Sequence, residues 1–270
     1  MRLQFPERAR SFDGWAGDYD RYRPSYPNVL FQEIRSRLRL PRHPHVVDLG
    51  AGTGRASLAM AALGWRVTAV EPGKPMLDVL RAQAANQGVV LATVQATAEA
   101  TGLDPASADL AAAAQAFHWF DRVAAVAEMA RIVRPGGGVA VFWNVRDPER
   151  SAFVADYHAL LERQFGDADT GQYLQAGRST GRERTQHAFS ESSGFEAPQL
   201  AELTHEIEMT AEDFVGMAFT ASYVRSLPPE QQDRFRRDLE ALLARHGLAN
   251  GDRFSVPYRI DLWTARRPAQ

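Results

Sequence analysis

Two acids and three glycines stand in the arrangement that a nucleoside-containing ligand needs. The run Val46-Val47-Asp48-Leu49-Gly50-Ala51-Gly52-Thr53-Gly54 reads as a buried strand ending in a carboxylate, then a glycine-rich turn that opens a helix. Glycine has no Cβ, so its backbone turns sharply and lies close against a ligand. A second acid, Glu71, closes the next apolar run, Val67-Thr68-Ala69-Val70. That order sets a carboxylate beside the glycine turn, where ribose hydroxyls can donate to it. Asp48 ends a buried strand, where an unpaired carboxylate is costly. It either holds the turn and receives a ligand's amino group or merely caps the turn.

Dinucleotide enzymes carry G-x-G-x-x-G, whose third glycine permits close helix–strand packing beside a pyrophosphate. Residues 50–54 read G-x-G-x-G, one residue tighter. With Asp48 before it, this resembles motif I of class I S-adenosylmethionine-dependent methyltransferases, whose ligand has no phosphate to cradle. Glu71-Pro72 with Met76-Leu77 is similar to that family's second motif, and Ala96-Thr97-Ala98-Glu99 to its segment after strand three. Arg134-Pro135-Gly136-Gly137-Gly138 is similar to the turn before its fifth strand. Phe12-Asp13, Tyr19-Asp20, Arg23-Pro24 and Tyr26-Pro27 resemble the N-terminal segment of its small-molecule branch, the type 11 and trans-aconitate methyltransferase-like enzymes.

The resemblance implies S-adenosylmethionine as cofactor, released as S-adenosylhomocysteine. By the same resemblance Asp48, Gly50, Ala51, Gly52, Thr53 and Gly54 form the cradle, and Glu71 with Pro72 holds the ribose. Met76 covers the adenine. Thr97, Ala98 and Glu99 border the base, Thr97 standing where the family often has an aspartate. Gln115, Ala116 and Phe117 line the donor, and Tyr19 and Arg23 close over it, Arg23 pairing with its carboxylate.

Methyl transfer is an in-line displacement from a sulfonium, so the protein mainly holds the acceptor close, aligned and dry, and sometimes removes a proton. His118 is the candidate general base, because histidine titrates near neutral pH; a packed, hydrogen-bonded role is its alternative. Tyr22, Trp119, Trp143 and Asn144 are candidate acceptor contacts. Arg178, Arg182 and Arg184 either recognise an anionic acceptor or belong to a solvated loop.

Alternating strands and helices must position these residues. Strands are expected at 45–49, 66–70, 89–95, 108–114 and 138–144, with helices at about 55–63, 75–85 and 122–133 between them. Such alternation builds a parallel sheet with helices on both faces and ligands at the strands' carboxyl ends. A helix precedes the first strand, with Leu30, Ile34 and Leu38 on one face. Another is expected over 151–165, a polar glycine-rich stretch over 166–193 that is mobile or a lid, and strands over 200–209 and 253–265. Between those strands Thr210-Ala211-Glu212-Asp213 opens a helix to about 227, and Pro228-Pro229 starts a second. With these elements, the resemblance implies an α/β, Rossmann-like seven-stranded methyltransferase sheet of order 3-2-1-4-5-7-6. It would have an N-terminal helical segment (1–44), a core (45–150) and a C-terminal part (151–270) whose helical substrate cap covers about 151–250.

The chain has 270 residues, with 31 Lys and Arg against 33 Asp and Glu. A net charge of −2 gives no broad basic footprint for nucleic acid. The absence of cysteine rules out disulfides and thiolate metal sites, and the scattered histidines suggest no metal. Residues 1–6 lack the apolar core of a signal peptide, and no run is long and apolar enough to span a bilayer. A cytoplasmic monomer or homodimer acting on a small-molecule acceptor, with oxygen as first choice of atom, is the expectation. A cyclase or regulatory binder on the same fold would bind the donor without transfer. A nicotinamide-dependent oxidoreductase would bind a dinucleotide instead. A nucleic-acid methyltransferase is a third alternative, though the sequence has no basic face and no Asn-Pro-Pro-aromatic segment of the kind amino-group base methylases carry.

Overall fold

A computed structural model of the chain describes residues 21–174, 179–191 and 194–269. Five parallel strands, β1 (His45–Leu49), β2 (Arg66–Val70), β3 (Ala92–Val94), β4 (Ala108–Ala114) and β5 (Val133–Arg146), form one sheet with β6 (Gln199–Met209) and β7 (Phe254–Arg266). The order is β3-β2-β1-β4-β5-β7-β6, with β7 antiparallel to both its neighbours. This is the expected methyltransferase sheet.

Helices cover both faces, as parallel sheets require, and the strands are accordingly almost continuously apolar. On one face Val46, Val67, Leu110, Ala140 and Phe142 pack against α1 (Asn28–Leu38), through Leu30, Phe31, Ile34 and Leu38, and against α2 (Arg55–Ala62). On the other, Val47, Leu49, Ala111, Val139 and Val141 meet α4 (Arg122–Ile132) and α6 (Ser179–Ser190). The helix α3 (Lys74–Asn86) follows β2 and buries Met76, Leu77 and Leu80. A third apolar cluster lies at the sheet's far end. There α5 (Ala152–Leu174) packs against α7 (Ala211–Phe219), α8 (Ser222–Arg225) and α9 (Pro229–Arg245), which are strung between β6 and β7. α7 opens with the expected capping box, Thr210 and Asp213 each bonding the other's backbone N–H at 3.1 Å.

Four boundaries differ from the sequence reading. β3 is only three residues long, and Val90, expected inside it, is 92% exposed. β5 begins at Val133, because Val133 pairs with Ala108 ahead of a register shift that the Arg134–Gly138 stretch absorbs. The helix expected over 210–227 breaks at Thr220-Ala221 into α7 and α8. Much of the polar stretch 166–193 is helical: α5 runs through a kink at Gly166 to Leu174, and α6 follows. α6 docks because Thr185, Ala188 and Phe189 are buried, Phe189 stacking on Phe117 at 6.0 Å.

Candidate active site

The glycine turn joins β1 to α2 at the carboxyl edge of the sheet. Gly50, Gly52 and Gly54 all have positive φ, at 67°, 56° and 91°, a region that favours glycine. The backbone N–H groups of Gly50 and Ala51 both donate to the Val70 carbonyl, at 2.9 and 3.1 Å, which ties the turn to the end of β2. A Cβ built on Gly50 would lie 2.7 Å from the Ala116 Cβ, and one on Gly54 would lie 2.5 Å from Leu80 Cγ. Among the described residues, one built on Gly52 meets nothing within 4 Å. The outer glycines are therefore required by packing, whereas the middle one presents bare backbone to open space.

Glu71 sits beside this turn. Its carboxylate accepts from Gly52 N–H at 3.0 Å through one oxygen and from Gly73 N–H at 2.9 Å through the other. These bonds fix the carboxylate beside the turn, and a carboxylate oxygen can accept from more than one donor. Asp48 is 1% exposed. It does not bind the glycine turn; its Oδ2 accepts from Ser57 Oγ on α2 at 2.5 Å. Its Oδ1 is buried with no donor among the described residues. Burial pushes its pKa up to about 7; the Ser57 hydrogen bonds pull it back, and nearby Glu71 adds to the rise. A carboxylate poised in this way is suited to receive a cationic or amino donor. An uncovered glycine, an anchored Glu71 and an under-satisfied Asp48 together fit the ribose and the aminoacyl end of S-adenosylmethionine.

The remaining cofactor candidates divide. Pro72 is exposed beside Glu71, Met76 is buried in the first turn of α3, and Thr97 is exposed and bridges to Ala100. Glu99 accepts from the Asp121 N–H at 2.9 Å, fastening its loop to the start of α4. Ala98 belongs to the apolar core. Thr53 is buried within the turn. Phe117 was expected to line the donor, but its ring is fully buried among Phe120, Trp143 and Phe189. Tyr19 lies outside the described residues.

A second cavity, of about 50 Å³, opens between the ends of β4 and β5 and the helices α5, α7 and α8; Gln115, His118, Trp143, Asn144, Arg146 and Tyr258 are among its walls. Gln115 has φ 55°, unusual for a residue with a side chain, and donates through Nε2 to the Asn144 carbonyl at 3.0 Å. Asn144 donates to Ser25 O at 3.3 Å, and its Oδ1 lies 3.1 Å from His205 Nε2, joining β5, β6 and the N-terminal segment. Arg23 also lines the cavity and donates to Thr220 Oγ1 at 2.9 Å, bridging to the end of α7. Trp119 is half-buried, its ring 5.0 Å from the His118 ring.

His118 is 6% exposed. The Trp143 indole N–H donates to its Nδ1 at 3.3 Å. Indole N–H is only a donor, so that bond assigns the imidazole proton to Nε2. Burial first, then the Arg122 and Arg23 charges, brings its pKa down to about 3. The ring is neutral at physiological pH and a poor proton acceptor, so this setting favours a hydrogen-bonding role over general base.

Three candidates lie elsewhere. Tyr22 packs over Gly216 on α7 and lines a different, outer groove with Glu212, Arg225 and Arg236. Arg182 is tied to the fully buried Asp261 at 3.2 Å and to Glu202, so it fastens α6 to the sheet. Arg184 is exposed, and Arg178 lies outside the described residues. Sequence reasoning missed Arg146, Tyr157, Tyr223 and Tyr258, whose juxtaposition comes from four elements with no shared local spacing. Among the described residues no group of three His, Asp or Glu side chains is placed to hold a metal, and no helix is long and apolar enough to cross a membrane.

The methyltransferase-domain family profile matches residues 47–141. An uncharacterized methyltransferase of Mycobacterium tuberculosis is 34% identical over 254 residues, covering 92% of each chain. Among solved structures, a candidate type II methyltransferase from Anaeromyxobacter dehalogenans is 27% identical, with a TM-score of 0.64 over 92% of this chain and 99% of that one. A phosphoethanolamine N-methyltransferase of Haemonchus contortus, in complex with phosphomonomethylethanolamine and S-adenosylhomocysteine, shares the fold at 15% identity. Its TM-score is 0.55, over 98% of this chain and 59% of that one. With this glycine turn, this strand order and a 34% identical relative matched almost end to end, the chain belongs to the class I S-adenosylmethionine-dependent methyltransferase family.

Proposed function

We propose that this protein methylates a small organic acceptor, at oxygen, in the cavity between the sheet's carboxyl edge and the helical insert. The observation that carries this reading is the shared loop 115–120. Ala116 and Phe120 face Gly50 in the cofactor cradle, while Gln115 and His118 line the second cavity. One short segment thus has the cofactor on one side and the acceptor on the other.

S-adenosylmethionine supplies a methyl carbon bonded to a positively charged sulfur, which leaves as a neutral thioether when the new oxygen–carbon bond forms. The chain's own part is placement. Glu71, fixed by two backbone N–H groups, holds the ribose, and Asp48 receives the amino end. Gln115, held in its left-handed conformation and bonded to Asn144, shapes the wall between the two sites. His118, neutral and protonated on Nε2, donates to the acceptor and steers it; a carboxylate acceptor needs no base at all. Residues 45–150 then form the cofactor-binding core, with 151–270 and the N-terminal helical segment closing the acceptor side. A near-neutral, cysteine-free chain suits work in the cytoplasm.

Calorimetric titration with S-adenosylmethionine, S-adenosylhomocysteine and NAD tests the reading, with Glu71→Ala as control. Micromolar binding of the first two, lost in the variant, is expected, followed by label transfer from methyl-labelled donor to a hydroxyl or carboxylate in an acceptor screen. Binding of NAD alone would refute it. Donor binding with no transfer across the screen would instead favour a cyclase or regulatory binder.

A further inference from the structure

Among the described residues, the acceptor cavity is lined by two arginines, Arg23 and Arg146, and by no aspartate or glutamate. That imbalance stands out in a chain with more acids than bases. Arg146 is the last residue of β5 and the register partner of Tyr258 on β7. Its guanidinium carbon stands 5.0 Å from the Tyr157 ring centroid and 6.0 Å from that of Phe214. Among the described residues no carboxylate lies within ion-pair distance of it, and its Nε is buried with no acceptor. Stacking on aromatic rings and a hydrogen bond to the Tyr258 hydroxyl oxygen offset part of the cost of burying this cation, but its Nε still lacks an acceptor among the described residues.

The surroundings supply matching donors. Tyr223 and Tyr258 line the cavity. Tyr258 spends its hydroxyl on the Met217 sulfur at 3.2 Å, a weak acceptor that a better one would displace. Burial raises the pKa of both tyrosines, so their hydroxyls keep their protons and remain donors at neutral pH. A guanidinium fork flanked by phenols complements a planar or tetrahedral oxyanion and repels a cation.

We propose that the acceptor is an organic anion whose oxyanion, a carboxylate or a phosphate ester, is seated on Arg146 with the hydroxyls of Tyr223 and Tyr258. This rests on the function proposed above and names its substrate class. Asn144 and Arg146 lie two residues apart on β5, so their side chains share a face roughly 7 Å apart. The anchoring group therefore sits about one strand repeat from the atom beside Gln115 and His118 that receives the methyl, which favours acceptors with a short spacer between the two.

The test uses the full-length protein saturated with S-adenosylhomocysteine. Binding of small carboxylates, of their neutral amides and of phenyl phosphate is measured by calorimetry and thermal shift. Carboxylates or the phosphate ester are expected to bind at least about tenfold more tightly than the matching amides, and the stronger of the two names the oxyanion. Arg146→Met should abolish that preference and Arg146→Lys should keep part of it, with unchanged S-adenosylhomocysteine affinity showing that both variants are folded. Equal binding of anion and amide by the wild type, or a preference that survives Arg146→Met, overturns the proposal. Failure of the wild type to bind S-adenosylhomocysteine would instead refute the methyltransferase reading beneath it.

Discussion

Alanine substitution along the glycine turn separates loss of ligand from loss of fold. At Gly52 the φ of 56° makes alanine adopt a left-handed conformation, at a cost of about 1–2 kcal/mol. Its new methyl meets no atom of the described residues within 4 Å. At Gly54 the same strain applies at φ 91°, and the methyl would also lie 2.5 Å from Leu80 Cγ and 2.9 Å from Cδ1. Overpacking of that kind adds about 1–3 kcal/mol, so Gly54→Ala should lose about 2–5 kcal/mol in total. Gly52→Ala should stay folded, with a melting temperature lower by roughly 2–4 °C per kcal/mol. Its methyl, however, lies where bare backbone meets the cofactor, and a comparable steric cost there weakens binding by roughly 5- to 150-fold. Thermal unfolding measures the first quantity and calorimetry with S-adenosylhomocysteine the second. Wild-type affinity in Gly52→Ala, or a Gly54→Ala protein no less stable than Gly52→Ala, would refute the assignment of the middle glycine to the ligand and the outer one to packing.

Four further outcomes follow from the electrostatics. Asp48 is held near pKa 7, above its ordinary 3.8, so the folded state binds the extra proton and its contribution to stability declines as pH rises from about 4 to 7; Asp48→Asn should flatten that slope in chemical unfolding. A cationic amino group placed beside Asp48 lowers its pKa again, so cofactor binding near pH 6 should release protons, seen as an enthalpy that depends on the buffer's ionisation heat. His118, pushed down to about 3, should show no titration in carbon-detected NMR between pH 5 and 8, and a midpoint near 6.5 would refute its buried, Trp143-bonded setting. Glu128, held at about 2 by Arg131 and by the Thr101 hydroxyl and N–H, contributes stability that is full above its ordinary pKa and lost only as pH falls through 2. Glu128→Gln should cost about 1–3 kcal/mol in urea unfolding at pH 7, and no change would contradict the buried network.

The cofactor class was legible because its signature is local. Three glycines, each with positive φ, and two strand-ending acids fall within twenty-five residues and need no tertiary information to be recognised. The alternation of strands and helices implied a parallel sheet, and the strand order followed from the family resemblance. Where the reading slipped, local composition opposed tertiary packing. Residues 179–190 are polar enough to look like loop, yet burying Thr185, Ala188 and Phe189 against the core and fastening Arg182 to Asp261 makes them a helix. Arg134–Gly138 looked like a turn and lies inside β5. Phe117, two residues beyond the left-handed Gln115, is fully buried against Phe120, Trp143 and Phe189. The second cavity was least legible: Arg146, Tyr223 and Tyr258 on its wall, and Tyr157 against Arg146, meet only after β5, α8, β7 and α5 have packed.

Met209 and Phe254 are facing partners at the open ends of β6 and β7, and residues 210–253 hang between them. Topologically the whole helical insert is an enlarged hairpin loop, both of whose ends leave the sheet at one rung of the ladder. Closure entropy grows slowly with loop length, by about 0.6 kcal/mol per doubling, so the sheet is nearly indifferent to how much chain is spliced there. The insert is in effect a cassette. Transplanting the corresponding stretch from a relative should leave the cofactor half intact while exchanging Met217, Ala221 and Tyr223, which offers a route to altered acceptor choice that never touches the glycine turn.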